Sequence, residues 1–410
     1  SAQRGCGVLA YWGNIRIEDC RFEFCWYDGP CSGGGAYLKG DTIRVVRTLF
    51  NQNMLPRGSG GGLYFTAEYE GEISGCSFLQ NTAGFTGGAG VLAGAKNIVN
   101  NRIIGNASTN NGAFTISSDV GEFNFLNNVV QDNRAMNFGY MSTPSHGAIF
   151  FQADELSQWN IYNNRFESNS SMSGQVLSNC GAVGFQGGSH ILKQNSFIGN
   201  IGSAGAAITT TAVVTNLALD SNSFRSNHGT CTFFYLNSGT CTIQSTDFIN
   251  NDGIAIDSRY YDTIPALNCY WGDPSGPRAP GNPNGLGDSI NTFVLYEPFN
   301  THPNMPENQT FISERPFIAN PTSFGVLTAY PNPTNGAVTI TFSLPAANQY
   351  TRIAVYDALG RKVANLWEGS AVTGEQRIQW HPQAIASGNY FLRAESSVGV
   401  GLTTRVQYLK

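Results

Sequence analysis

The sequence predicts an all-β protein in which a solenoid of short parallel strands is followed by a small β-sandwich. Three observations predict this class. A repeat of about 25 residues runs through the first 250 positions, the composition is rich in glycine (48 of 410 residues) and poor in charge (12%), and the pattern changes to alternating strands near residue 327. A hydrophobic share of 41% excludes a disordered chain. The composition lacks the enrichment in Ala, Glu, Lys and Leu that is typical of a helical bundle, and so disfavours that class.

Each repeat carries an apolar or aromatic residue followed three positions later by asparagine, as in Phe50 with Asn53. A glycine-rich signature such as Gly33-Gly34-Gly35 alternates with it along the chain. This period predicts a parallel β-helix, in which equivalent aromatic rings stack into a core and equivalent asparagines bond from coil to coil in the turns. The predicted asparagine ladder is Asn53, Asn81, Asn106, Asn133, Asn169, Asn200, Asn227 and Asn251.

The two longest spacings between ladder asparagines predict lateral loops at residues 134–146 and 170–180. Loops of this kind often form the binding face of a solenoid. Tyr140, Trp159 and the run Phe233-Phe234-Tyr235 are candidates for stacking on a sugar, although ordinary packing is the favoured interpretation for each.

The stretch from Asn268 to Pro277 reads NCYWGDPSGP. It resembles the NxWWGDPSGP element that often ends right-handed parallel β-helix domains of the pectate-lyase-like superfamily, with Tyr270 in place of the first tryptophan. The resemblance implies a β-helix over residues 1–300 with a C-terminal cap near 268–300, in which Trp271 covers the end of the core. Residues 301–326, rich in Pro, Asn and Thr, are predicted to be a linker.

Residues 327–410 are predicted to form the β-sandwich, since short alternating strands are separated by strong turn signals. This tail closely resembles the C-terminal sorting domain of type IX secretion in Bacteroidota, whose usual YPNPFNG motif differs here only at Thr334. The residues that carry the resemblance are Tyr330, Pro331, Asn332, Pro333, Asn335, Gly336, Tyr356, Asp357, Gly360, Arg361, Gly388, Tyr390 and Lys410.

The resemblance implies the type IX secretion machinery as a partner. It also implies a secreted protein, or one at the outer surface of a Gram-negative bacterium of the Bacteroidota type. The chain opens SAQRGCG, without Met and without an apolar leader. We therefore expect a signal peptide, and further N-terminal sequence, to be missing.

Polysaccharide lyases and hydrolases of the superfamily need paired carboxylates, or an Asp cluster for Ca²⁺ with a basic partner. No Asp-Asp pair occurs in the sequence, and the acids do not recur with the repeat. His146 is predicted to be a loop residue, and Glu68, Glu70 and Glu72 a solvated edge. No catalytic residue, metal ligand or cofactor is predicted, apart from a candidate structural Ca²⁺ in the loop around Asp273 and Asp288.

Cys231 and Cys241 either form a disulfide around the intervening turn or remain buried thiols. The net charge of −5 gives no basis for a nucleic-acid partner, and no apolar run is long enough to span a membrane. The sequence favours a non-enzymatic structural, adhesive or assembly component, with self-association or cell-surface glycans as candidate interactions. The alternative is a secreted polysaccharide lyase or hydrolase with a divergent site.

Overall fold

In the computed structural model the chain divides into two compact units, Ser1–Phe317 and Ile318–Lys410. The structure describes residues 7–136, 145–171, 179–210, 214–235, 239–258, 263–305, 325–344, 349–357, 361–371, 374–382, 385–396 and 401–410. The first unit is a parallel β-solenoid of about 10 turns, and the second consists of antiparallel sheets. The predicted all-β class, with a parallel β-helix and a β-rich tail, is therefore confirmed.

The described part of the first unit contains short strands that follow one another around each coil. In chain order they are β1 (Val8–Tyr11), β2 (Asn14–Glu18), β3 (Arg21–Glu23), β4 (Ala36–Val46), β5 (Leu49–Asn51), β6 (Met54–Leu55), β7 (Leu63–Ser74), β8 (Ser77–Leu79), β9 (Thr82–Ala83), β10 (Gly90–Ala93), β11 (Asn97–Val99), β12 (Arg102–Ile104), β13 (Ala107–Ser108), β14 (Phe114–Ser118), β15 (Gly121–Leu126), β16 (Val129–Gln131), β17 (Arg134–Ala135) and β18 (Ile149–Ala153). The series continues with β19 (Ser157–Tyr162), β20 (Arg165–Glu167), β21 (Ser170–Ser171), β22 (Val183–Gln186), β23 (Ser189–Lys193), β24 (Ser196–Ile198), β25 (Ile201–Gly202), β26 (Gly205–Thr210), β27 (Asn216–Asp220), β28 (Ser223–Arg225), β29 (Cys231–Tyr235), β30 (Thr240–Gln244), β31 (Asp247–Ile249), β32 (Ile254–Ser258), β33 (Ile264–Leu267), β34 (Pro277–Arg278), β35 (Gly287–Ser289) and β36 (Val294–Leu295).

The described part of the second unit forms two antiparallel sheets. Its strands are β37 (Gly325–Tyr330), β38 (Val338–Leu344), β39 (Gln349–Tyr356), β40 (Lys362–Ala371), β41 (Gly374–Trp380), β42 (Gly388–Ser396) and β43 (Gly401–Tyr408). β37, β38 and β41 make one sheet, and β40, β39, β42 and β43 make the other. Val338, Ile353, Leu392 and Val406 are buried in the core of this unit.

Consecutive coils of the solenoid pair in parallel, and in most strand pairs the register is unbroken, so that each side chain lies above its equivalent in the coil before. Phe166, Phe197 and Phe224 are directly paired in this way on β20, β24 and β28. Their rings stack with centroids 4.8 Å apart and planes within 7°. This distance is the ordinary spacing of hydrogen-bonded strands, so backbone pairing and ring stacking satisfy the same repeat.

The turns between strands require backbone angles that most residues avoid. Asn100, Asn127 and Asn163 occupy equivalent turns with φ of 59°, 56° and 57°. Asparagine tolerates this left-handed region, which explains asparagines at these turn positions outside the buried ladder.

His146 differs from its predicted place in a loop, because it is buried and bridges Asn111 and Cys180 of the neighbouring coils. Its Nδ1 lies 2.8 Å from the Asn111 Oδ1, and its ring stacks on Phe150 at a centroid distance of 4.3 Å. Gly184 makes room for the ring on the next coil, since a Cβ at that position would collide with it. Sequence spacing could not predict that His146 is buried, because the space for its ring is created by a glycine on another coil.

A second histidine, His190, is also buried, with its ring against Phe185 at 4.4 Å. Burial lowers the pKa of His146 to about 3 and that of His190 to about 4. Both side chains are therefore neutral inside the folded coil at physiological pH.

Acidification is expected to destabilise the β-helix through these two histidines. The unfolded chain binds protons near the ordinary histidine pKa of 6.5, whereas the folded chain resists protonation down to pH 3–4. Stability is therefore lost as the pH falls below 6.5, by about 2.5 kcal/mol per histidine at pH 4.5. Denaturant unfolding at pH 7 and pH 4.5 measures the change, and in His190→Gln the loss should be about 2.5 kcal/mol smaller than in the parent protein. An equal loss in the parent and the variant would contradict the assignment.

Candidate functional sites

The predicted ladder asparagines lie in successive coils and are linked by side-chain hydrogen bonds. Asn133 shows the pattern. Its Oδ1 accepts from the backbone N and the Nδ2 of Asn106, each at 3.0 Å, while its own Nδ2 donates to the Ile103 carbonyl at 2.8 Å and to the Asn169 Oδ1 at 2.9 Å. Both amide hydrogens and the amide oxygen are thus satisfied, as a buried polar group requires. The same bonds connect all eight residues from Asn53 to Asn251.

The ladder ends at Asp288, which the sequence did not assign to it. Asn251 donates its Nδ2 and its backbone N to the Asp288 Oδ2, at 2.7 and 3.2 Å. A carboxylate accepts hydrogen bonds without donating any, so it completes the last asparagine and needs no further acceptor beyond it. Burial raises the pKa of Asp288 to about 6, and the hydrogen bonds from Asn251 oppose that rise.

A second asparagine ladder runs beside the first and was not predicted. It joins Asn101, Asn128, Asn164, Asn195 and Asn222 by the same amide-to-amide bonds. These residues precede the stacked apolar position by two, just as the first ladder follows it by three. The repeat is therefore Asn-x-apolar-x-x-Asn, and the first asparagine of this pattern was the signal available in the sequence.

Residues of the predicted cap close the C-terminal end of the solenoid. Trp271 is fully buried and stacks on Phe248 at 5.0 Å, with an angle of 11° between the planes. Asp247 is buried as well, and its carboxylate accepts from the backbone of Asn304 and Met305 at 2.8 and 3.0 Å. These bonds fasten the chain after the cap onto the last coils.

The acidic loop considered for Ca²⁺ uses its carboxylates in protein hydrogen bonds. The Asp273 Oδ1 accepts from the backbone N and the hydroxyl of Ser275, at 2.9 and 2.6 Å, while Asp288 completes the ladder. Within the residues that the structure describes, no group of three His, Cys, Asp or Glu side chains is placed to hold a metal ion.

The cysteines of the solenoid interior are thiols held by packing. No disulfide joins Cys231 to Cys241, and the Cys231 Sγ lies 3.3 Å from the Ala204 carbonyl. Burial raises the pKa of Cys76 and of Cys180 to about 12, so neither is a thiolate at neutral pH.

Four of the five aromatic residues considered for sugar contact are buried. Trp159 and Phe233 are buried, as are the neighbouring Phe234 and Tyr235. Tyr140 lies outside the described residues, as do 137–144 of the first predicted loop and 172–178 of the second. Glu68 and Glu70 are exposed on β7, between the stretches 63–66 and 72–74 that pair with β10 and β11, and Glu72 on the same strand is half-buried.

The first coils carry a groove of about 350 Å³ on the outer face of β4 and β7. Its floor is a pair of tyrosines, Tyr37 and Tyr64, whose rings stack at 4.9 Å with an angle of 4°. Its rim includes Ser32, Ser59, Arg57 and the half-exposed Phe85. We call this feature the tyrosine groove, and it lies well away from the predicted lateral loops in sequence.

In the tail, sorting-motif segments that are far apart in sequence meet at one end of the unit. The Asn332 Nδ2 donates to the Arg405 carbonyl at 2.7 Å, and the Gln407 backbone N donates to the Asn332 Oδ1 at 2.8 Å. The Lys410 backbone N donates to the Ser387 Oγ at 2.8 Å. We call this end the motif end.

Strand register extends the motif end to the remaining motif residues. Tyr356 pairs with Phe391, and Gly388 pairs with Tyr408. After β39, Asp357 accepts from the Arg361 backbone N at 2.9 Å and from its Nε at 2.7 Å, while Gly360 between them lies outside the described residues. Most described motif residues at this end are exposed, namely Tyr330, Pro331, Asn332, Pro333, Asn335, Gly336, Arg361, Gly388 and Lys410, whereas Tyr390 is buried and donates its hydroxyl to the Ala386 carbonyl at 2.8 Å.

Comparison with family models gives two matches. Residues 6–187 match a right-handed β-helix region, and residues 328–406 match a secretion system C-terminal sorting domain. The first unit thus contains a right-handed β-helix region, and the second unit carries a C-terminal sorting domain of type IX secretion. No curated protein and no solved structure matches the chain.

The sorting domain implies export by the type IX machinery to the cell surface or the extracellular space of a bacterium of the Bacteroidota. It also makes that machinery a partner of the protein. Across the described residues, no helix has the length and hydropathy needed to cross a membrane.

Weakening the motif end of the sorting domain is expected to reduce export. Asn332→Ala removes both side-chain hydrogen bonds to β43, so the YPNP segment is held on the C-terminal strand only by the backbone bonds of the adjacent Thr334 among those described. We expect a several-fold lower secreted fraction, with precursor retained in the periplasm, as measured by quantitative immunoblots of each fraction. Asn365→Ala is the control, because Asn365 is an exposed asparagine on β40 that contacts only the nearby Glu368 among the bonds described. Equal export of the two variants would count against a role for Asn332.

Proposed function

We propose that the exported protein is a non-enzymatic structural or adhesive component of the cell surface. The observation that carries this proposal is the unbroken asparagine ladder from Asn53 to Asp288, which runs along the solenoid with its amide groups satisfied. Such a ladder ties every coil to the next and makes the β-helix a stiff body suited to presenting surfaces.

The ionisable groups inside the solenoid also support a structural role. His146, His190, Cys76 and Cys180 are all held in their neutral forms by burial. They contribute packing and hydrogen bonds, and they are inaccessible to a polymeric substrate.

One observation favours the enzymatic alternative, a polysaccharide lyase or hydrolase. The His228 Nδ1 lies 2.8 Å from the Asp252 Oδ2 on the surface, and both side chains are more than half exposed. A carboxylate that orients an imidazole is an arrangement used by general bases. The pair forms only in the fold, because the two residues are 24 positions apart.

The secreted protein separates these two functions directly. Purified material is tested for retention on cells and surface extracts, for particle mass by light scattering, and for turnover on a panel of polysaccharides scored for reducing ends and unsaturated products. We expect retention or assembly without products. Products that appear with the parent protein and disappear with His228→Ala would overturn the proposal in favour of the enzyme.

A further inference from the structure

The tyrosine groove has the size and chemistry of a small-ligand site. Its volume of about 350 Å³ lies within the usual range for ligand pockets, near the lower end. The surface that it presents combines aromatic rings, two serine hydroxyls and one guanidinium group, and no part of the cap or the asparagine ladders contributes to it.

We propose that the tyrosine groove binds a neutral saccharide unit of a surface glycan. This inference rests on the adhesive form of the proposed function and gives it a site and a ligand class. The groove would hold the sugar and leave it unchanged.

The aromatic residues of the groove would contact the apolar face of a sugar ring. Tyr64 is half-buried and Phe85 is 51% exposed, so both have ring surface available, while Tyr37 is buried and stacks on Tyr64. Sugar rings present C–H groups on one face and hydroxyls at their edges, and aromatic side chains are the groups that match the C–H face.

Arg57 and its ion-pair partner Asp28 explain how sugar hydroxyls would be bound and why the proposed ligand is uncharged. The Arg57 Nε lies 3.6 Å from the Asp28 Oδ1, and more than half of each side chain is exposed. The pair offers hydrogen-bond donors beside an acceptor, which is what adjacent sugar hydroxyls need, and its two charges offset each other. Arg57 is the charged residue that lines the groove, and Asp28 offsets its charge from outside the lining, so a neutral saccharide fits better than an anionic one.

The groove is held in shape before any ligand arrives. Ser32 and Ser59 form a parallel bridge between neighbouring coils, and the Phe85 backbone N donates to the Gly58 carbonyl at 3.0 Å. Gly58 packs so closely on Cys31 that a Cβ would collide with its carbonyl oxygen. A preformed site loses little conformational entropy on binding.

The test uses the full secreted chain on an array of neutral oligosaccharides built from glucose, galactose, mannose, xylose and N-acetylglucosamine. Sulfated and uronate-bearing glycans are printed beside them. Tyr64→Ala is expected to weaken binding about tenfold and Arg57→Ala about fivefold, in line with the loss of one aromatic contact and of one or two hydrogen bonds. The matched controls are Tyr69→Ala, an exposed tyrosine on the same strand, and Arg16→Ala, an exposed arginine of the first coil.

Selective loss in the two groove variants, with both controls unchanged, would support the site. Unchanged binding in the groove variants, a strict preference for the charged glycans, or no binding of the parent protein to the array would overturn it. If Tyr64→Ala is still retained on cells, the groove is not the binding site, but the adhesive function remains supported. Release of reducing ends from a polysaccharide by the parent protein would instead contradict the proposed non-enzymatic function, whatever the result for the groove variants.

Discussion

Replacing Asn133 by alanine is expected to lower the free energy of unfolding of the β-helix by about 4 kcal/mol. The change removes four side-chain hydrogen bonds at a fully buried position. It leaves two donors of Asn106 and the carbonyl of Ile103 without their partner, and each buried group of this kind costs about 1–3 kcal/mol. Chemical denaturation followed by circular dichroism measures the effect.

The control for this change is Asn124→Ala, which removes an amide from a ladder on the solenoid surface. Asn124 lies between Asn97 and Asn160 and bonds to both, at 3.0 and 3.1 Å, but it is only half-buried. Water can replace these bonds, so we expect a loss below about 1 kcal/mol. Similar losses in the two variants would mean that burial does not set the strength of the inner ladder.

Replacing Trp271 by alanine is expected to cost about 3–5 kcal/mol, the usual range for emptying a buried aromatic site. Trp271 is the last ring of the core stack, so its loss opens the end of the solenoid next to Phe248. We expect a lower unfolding midpoint and faster proteolysis that begins at the C-terminal coils, as seen by limited digestion with mass spectrometry.

Two further variants show whether the ring or its polar atom matters. The Trp271 Nε1 is buried without a hydrogen-bond acceptor, so Trp271→Phe keeps the stack and should cost much less than alanine. Trp12→Ala is the exposed control, since this tryptophan is 76% accessible and should be nearly neutral. A phenylalanine variant as unstable as the alanine variant would show that the indole, and not the closed stack, stabilises the end.

Much of this architecture could be predicted from the sequence, because a solenoid repeats its contacts at one spacing. The Phe-x-x-Asn period placed the stacked rings and the first ladder, since register between coils preserves each position. The second ladder was missed because its slot is less uniform. Cysteine or threonine occupies it in the coils on either side of the asparagines, as at Cys20, Thr48, Cys76 and Thr246, and this hides the run from Asn101 to Asn222.

The sequence by itself determined the class of the protein, its solenoid period and the sorting motif, because each of these is written in short-range spacing. Only the tertiary structure decided how the ladder ends at Asp288, that His146 is buried beside Gly184, and that Asn332 meets the C-terminal strand. The reason is geometric. These contacts join residues 37, 38 and 75 positions apart, in segments with different local patterns, and only coil stacking or strand pairing brings them together.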